Sequence, residues 1–181
     1  MQSADYQKDK WTMGYTDYFL RASELALTPF AAWVADGQCL LAALPPTVVI
    51  HPEHTPPGRR PYPLRLAGPD GTGTPRLTAD LVACNGALPD AGDPFAVPRL
   101  LASTLDVRPD EQGRYFSCCK TVSLPYDLLV TAALIRLHVR FPVDVVVSSD
   151  GGPSGWEAGC LLCADVFGSA ALPPEVARYS G

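Results

Sequence analysis

The chain of 181 residues is 47% hydrophobic, only 18% charged, and carries a formal net charge of −5 at pH 7. That apolar content supplies a core and excludes a chain disordered throughout. The acidic balance argues against generic binding to nucleic acid or to anionic membranes, which needs basic surface, and the length fits a single domain.

Residues 1–10 are polar and lack an apolar h-region, so no signal peptide is expected. No run of ~18 apolar residues offers a membrane span. The six cysteines (Cys39, Cys84, Cys118, Cys119, Cys160, Cys163) then read as reduced, buried thiols of a cytoplasmic protein. In the N-terminal third, Thr16 is the expected cap of a helix from Asp17 to about Leu27. Thr28-Pro29 opens a second helix, with proline at its first position. Gly37 is expected to interrupt that helix, and Cys39 to Leu44 to add a turn before Pro45-Pro46. Tyr6, Trp11, Tyr15 and Tyr18 read as staples holding the first helix to the core, with a partner surface as the alternative.

Most of the 19 prolines lie between Pro45 and Pro109, where they break the chain into short strands and rigid turns. Thr47–His51, Tyr62–Leu66 and Arg76–Cys84 are the expected strands of a β meander. The third alternates Leu77, Ala79, Leu81 and Ala83 with Thr78, Asp80 and Val82. Asn85 to Gly113 is turn-rich and reads as a connector, with one helical turn near Val97–Leu101.

The C-terminal third has the clearest pattern. Arg114–Cys118 reads as a strand, Pro125 to about Arg140 as a helix, and Val143–Ser148 as a β-branched strand. Ser154 and Glu157 form a capping box for a last helix that runs to about Phe167, with Gly168 at its C′ position. Strand, helix, strand, helix implies a right-handed βαβ crossover with parallel strands. At ~100° per residue the crossover helix has two apolar faces, one through Leu128, Ala132 and Ile135, the other through Val130, Ala133 and Leu137. Asp127, Thr131 and His138 form one polar stripe between them, and Arg136 and Arg140 another. Such a helix is buried on two sides, between the sheet and the N-terminal helices. The expected class is therefore α+β or α/β in one domain: N-terminal helices, a central meander, and a C-terminal βαβα unit with a parallel strand pair. Its subdivisions are 1–84, a connector at 85–113, the unit at 114–168, and a tail.

The segment Phe116-Ser-Cys-Cys-Lys-Thr, then Pro125-Tyr-Asp, then Val147-Ser-Ser-Asp-Gly and Trp156, resembles a family of uncharacterised bacterial and phage proteins. The resemblance covers mainly the last third of the chain. It implies no catalytic role and singles these positions out for testing.

In open α/β sheets, ligands bind beyond the carboxyl ends of the strands. One such end delivers Cys118, Cys119, Lys120 and Thr121; the other delivers Ser148, Ser149, Asp150, Gly151 and Gly152. Parallel strands would place both on one rim beside a helix N-terminus, suited to a small anion such as a phosphate. The same residues also make an ordinary turn with a solvated lysine, and the spacing is not that of a P-loop. As an enzyme, the rim would use Lys120 to bind the anion and Asp150 as general base or metal ligand, with Cys118 and Ser149 as further candidates. Cys160 and Cys163 share a helix face and, with Cys118 and Cys119, are the candidate ligands of a zinc-stabilised module. Packing explains them more simply. A Cys118 or Cys119 dyad with His138 fails on geometry, because about four helical turns, roughly 20 Å, separate them. His51-Pro-Glu-His54 reads as a surface loop.

No constellation is complete. The leading expectation is a noncatalytic binding or accessory protein without a cofactor, taking a protein partner or a small anionic ligand. The rival is a small hydrolase or transferase acting on a phosphate-bearing substrate at the rim.

Overall fold

The computed structural model describes residues 15–49, 61–102, 108–169 and 172–177. Its organising element is β1 (Asp17–Ala22), the middle strand of a three-stranded sheet between β8 (Arg114–Cys119) and β9 (Val145–Ser149). Both neighbours pair antiparallel to β1, with Asp17 opposite Cys119 on one side and Ser149 on the other. β8 and β9 thus run parallel, as the C-terminal pattern predicts, with β1 inserted between them.

The helix expected over Asp17–Leu27 is therefore a strand. Asp17, Phe19 and Arg21 alternate inward against Tyr18, Leu20 and Ala22, a period of two that a helix would scatter. Thr16, the expected cap, instead continues the pairing: its N–H donates to Asp150 Oδ1 at 2.7 Å and its carbonyl accepts from the Asp150 N–H.

α1 (Leu27–Ala43) follows and runs unbroken through Gly37. A Cβ there would lie 2.9 Å from the Leu77 side chain, so the glycine permits close approach rather than ending the helix. β2 (Thr47–Val48) pairs with β3 (Tyr62–Pro63). β6 (Leu81–Gly86) pairs antiparallel with β4 (Leu66–Ala67), β5 (Arg76–Leu77) and β7 (Phe95–Pro98), so the expected meander is split: β2 and β3 form a sheet of their own, and β6 is the hub of the other. The strand expected over Arg76–Cys84 is a hairpin, because Thr78 Oγ1 accepts from the Leu81 N–H and turns the chain. The helical turn expected near Val97 is the end of β7, which lies within the expected connector.

α2 (Asp127–Arg140) has eight buried residues and packs against α1, α3 (Gly152–Phe167) and β9, the two-sided burial its faces predict. The Arg136/Arg140 stripe meets α1, where both guanidiniums bind the buried Asp36 carboxylate at 2.7–3.0 Å. Trp33 Nε1 donates to the Ala133 carbonyl across the same interface. On the α3 side, a Cβ at Gly159 would lie 2.5 Å from Thr131 Oγ1, so glycine sets that crossing distance. α3 starts two residues before Ser154, so the capping box does not form. It ends at Gly168 with φ +76°, as expected. α4 (Pro174–Ala177) lies near β9. No helix of the described residues is long and apolar enough to cross a membrane.

Candidate functional site

The register assembles the rim that the sequence suggests, with one addition. Cys119 and Ser149 flank Asp17, and beyond them the chain leaves as Lys120-Thr121 and as Asp150-Gly151-Gly152. The two segments expected to meet thus sit on either side of Thr16-Asp17. Lys120 and Asp150 are both exposed and form no ion pair. Asp150 is engaged otherwise: Oδ1 takes the Thr16 N–H, and Oδ2 takes the Tyr18 hydroxyl at 3.3 Å. The arrangement expected of an anion-processing enzyme, a lysine and a carboxylate facing each other, is not formed.

The remaining rim residues are structural partners. Ser149 Oγ accepts from Trp156 Nε1 at 2.8 Å and from the Gly151 N–H at 3.2 Å, tying β9 to α3. Gly151 and Gly155 lie under the Tyr15 ring, and a Cβ at either would run into it. Cys119 Sγ and the Tyr126 hydroxyl both donate to the Asp93 carbonyl, at 3.4 and 2.9 Å, joining β8 and α2 to the loop after β6. Burial, then the nearby Asp17, pushes the Cys119 thiol well up, which makes it a poor nucleophile.

Strand alternation places Cys118 on the opposite face from Cys119. Cys163 is buried, with its thiol against the Ala132 carbonyl. Among the described residues no three His, Cys, Asp or Glu side chains converge to hold a metal, so the four cysteines do not form the zinc site considered above. His138 sits at the far end of α2 with Nδ1 2.9 Å from the Val145 carbonyl, remote from Cys118 and Cys119. His51, His54, Tyr6 and Trp11 lie outside the described residues.

Beneath the rim lies a cluster of a different kind. Thr121, at 0% exposure, donates from Oγ1 to Asp127 Oδ1 at 2.6 Å. The turn that links them carries Val122 and Ser123 at φ +54°, a left-handed conformation that costs about 1–3 kcal/mol for a non-glycine residue. Asp17 lies against Asp127, and the Tyr15 hydroxyl is enclosed beside them. Burial, then the Asp127 charge, raises Asp17 well above the ordinary carboxylic range. Burial pushes Asp127 up to about 6, against the lowering effect of the Thr121 hydroxyl and of the neighbouring Asp17. Sequence reasoning missed this pair, because it placed Asp17 on a helix.

The outer face of the sheet is the second candidate. Phe116 is 51% exposed in the middle of β8, and its ring centroid is 5.9 Å from that of Tyr18 on β1. A shallow depression of about 290 Å³ is lined by Tyr18, Phe19, Leu20, Phe116, Val146 and Ser148. The exposed Cys118 stands on the same face, two residues beyond Phe116.

Comparison with protein-family models, with curated proteins and with solved structures finds no match.

Proposed function

We propose that the protein is a noncatalytic binding protein whose partner docks on the open face of the β8–β1–β9 sheet. The observation that carries this reading is the half-exposed Phe116 stacked on Tyr18, beside Leu20 and Val146, over an apolar depression. Exposed apolar surface that is contiguous, rather than scattered, marks interaction sites, and aromatic residues are enriched in them. The separate engagement of Asp150, away from Lys120, weighs against a catalytic rim. The partner is a protein with an apolar surface, met in the cytoplasm, where six free thiols persist.

The test is a photo-crosslinking residue at position 116, in cells of the native host, with position 143 as control. Val143 is 82% exposed and lies away from the sheet face, before β9. A discrete adduct from position 116 and none from 143 supports the reading. No adduct from 116, with phosphatase or phosphotransferase turnover that Lys120→Ala abolishes, overturns it in favour of an enzyme at the rim.

A further inference from the structure

Asp17 and Asp127 pose a problem of charge that no side chain among the described residues solves. Asp17 is 0% exposed, and neither of its oxygens has a hydrogen-bond donor. Its carboxyl lies within hydrogen-bonding reach of Asp127, whose Oδ1 already accepts from Thr121. Each surrounding element contributes groups to this space. Tyr15 precedes β1, Cys119 ends β8, Thr121 follows it, Tyr126 precedes α2, and Ser149 and Asp150 end β9. Every titratable group among them is an acid, and none supplies a positive charge. Lys120 points to solvent and pairs with neither carboxyl.

A carboxylate sealed from water against a second, half-buried one cannot be ionised beside it without a counter-charge. No third acidic, histidine or cysteine ligand converges among the described residues, and both Asp17 oxygens are sealed from solvent. The cation that fits is a proton.

We infer that Asp17 and Asp127 share one proton in the native protein, and that this proton latches the start of β1 to the start of α2. The proton resides on Asp17 and is donated to an oxygen of Asp127, a charge-assisted O–H···O⁻ bond stronger than one between neutral groups. Its loss leaves two facing anions, and among the described residues no side chain donates to the Asp17 oxygens to absorb the repulsion. The strain falls on Tyr15–Tyr18, which are held by the Tyr15 carbonyl to the Val122 N–H and by Thr16 and Tyr18 to Asp150. The latch is closed in acid and loosens as pH rises.

Both carboxyls are raised in the folded state above the ~4 of an unfolded aspartate. The stabilisation from the latch is therefore complete below about pH 4, and it is lost as pH rises through the titration of the Asp17 proton, which burial and the Asp127 charge raise well above the ordinary carboxylic range. The titration belongs to the pair, not to either residue alone.

The intact chain labelled with ¹³C at the aspartate carboxyls provides the test. Two carboxyl resonances should titrate together, with a midpoint at or above about 6. Ordinary, independent titration of all aspartates near pH ~4 overturns the inference. Asp17→Asn offers Asp127 an amide donor that has no proton to lose. The melting temperature of the wild type should fall as pH rises through that midpoint, by about 2–4 °C per pH unit at its steepest, and that of Asp17→Asn should not. An equal fall in both also overturns the latch. The carboxyl titration needs no variant and is independent of the reading of the open face.

Discussion

The two ends of β1 each bury an ionisable side chain with no opposite charge beside it among the described residues, and they handle it in opposite ways. At the C-terminal end Arg21, 0% exposed, spreads its guanidinium over backbone carbonyls: Nε on Ala22 at 2.9 Å, Nη2 on Arg99 at 2.8 Å and Ser23 at 3.5 Å, and Nη1 on Pro98. Burial lowers its pKa only to about 10, so it stays a cation at neutral pH. At the N-terminal end Asp17 has no donors at all. A guanidinium has five N–H donors in a planar fork, and chain ends supply carbonyls in plenty. A carboxylate needs donors, and the N–H groups near Asp17 are already engaged in strand pairing or with Asp150. One end of the strand is satisfied by geometry, the other by protonation.

The largest expected effect comes from emptying the satisfied end. Arg21→Met takes the donor from the Pro98 carbonyl and one of two donors from those of Ser23 and Arg99, and should cost about 3 kcal/mol in urea unfolding. A loss below about 1 kcal/mol, within the range of an ordinary hydrogen bond, would mean that water replaces the guanidinium and that the contrast is false. Next, Gly155→Ala presses on the Tyr15 ring at the other end and should cost about 1–3 kcal/mol, as overpacking does. Thr121→Val removes the bond to Asp127 and should cost about 1–2 kcal/mol. Because Thr121 favours the ionised form of Asp127, that cost should be greater at pH 8 than at pH 5, and the titration of the pair should move upward. Equal costs at the two pH values would remove Thr121 from the pair. Smallest is Phe116→Ser on the open face, within about 0.5 kcal/mol of wild type by thermal unfolding. A much larger loss would make Phe116 a core residue and not a docking one.

How much of this was legible in the sequence follows the distance between interacting residues. β8, α2, β9 and α3 were readable because each carries a local signature: β-branched runs, a 3.6 period, and Gly168 at a helix end. The two polar stripes of α2 were readable too, and Arg136 and Arg140 do meet a buried partner, Asp36. β1 was not readable. Thr16-Asp17 imitates a cap and a first helical turn, and the residues that decide otherwise lie far away, as with Thr16 and Asp150 at a separation of 134. The site shared that fate. Lys120, Thr121, Ser149 and Asp150 were correctly brought to one end of the sheet, and Asp127 was recognised as polar on a buried helix. With Asp17 assigned to a helix, the carboxyl pair could not be seen. The turn at Thr78 hid in the same manner inside an alternating pattern that ran through it.

The insertion of β1 between β8 and β9 also sets the order in which the protein can assemble. The first of the described strands to be synthesised occupies the middle of a sheet whose two flanks come nearly a hundred residues or more later, so neither of its edges finds its partner until they exist. The α2–α3 contacts are local and form early. The pairing of β1 closes loops of about a hundred residues or more, a topology that folds slowly. Until Arg114 and Val145 arrive, Phe19 and Leu20 lie on a strand with two open edges, the state in which a nascent chain is most exposed to wrong pairing. A charge at each end of that strand, Asp17 and Arg21, opposes such pairing during the wait.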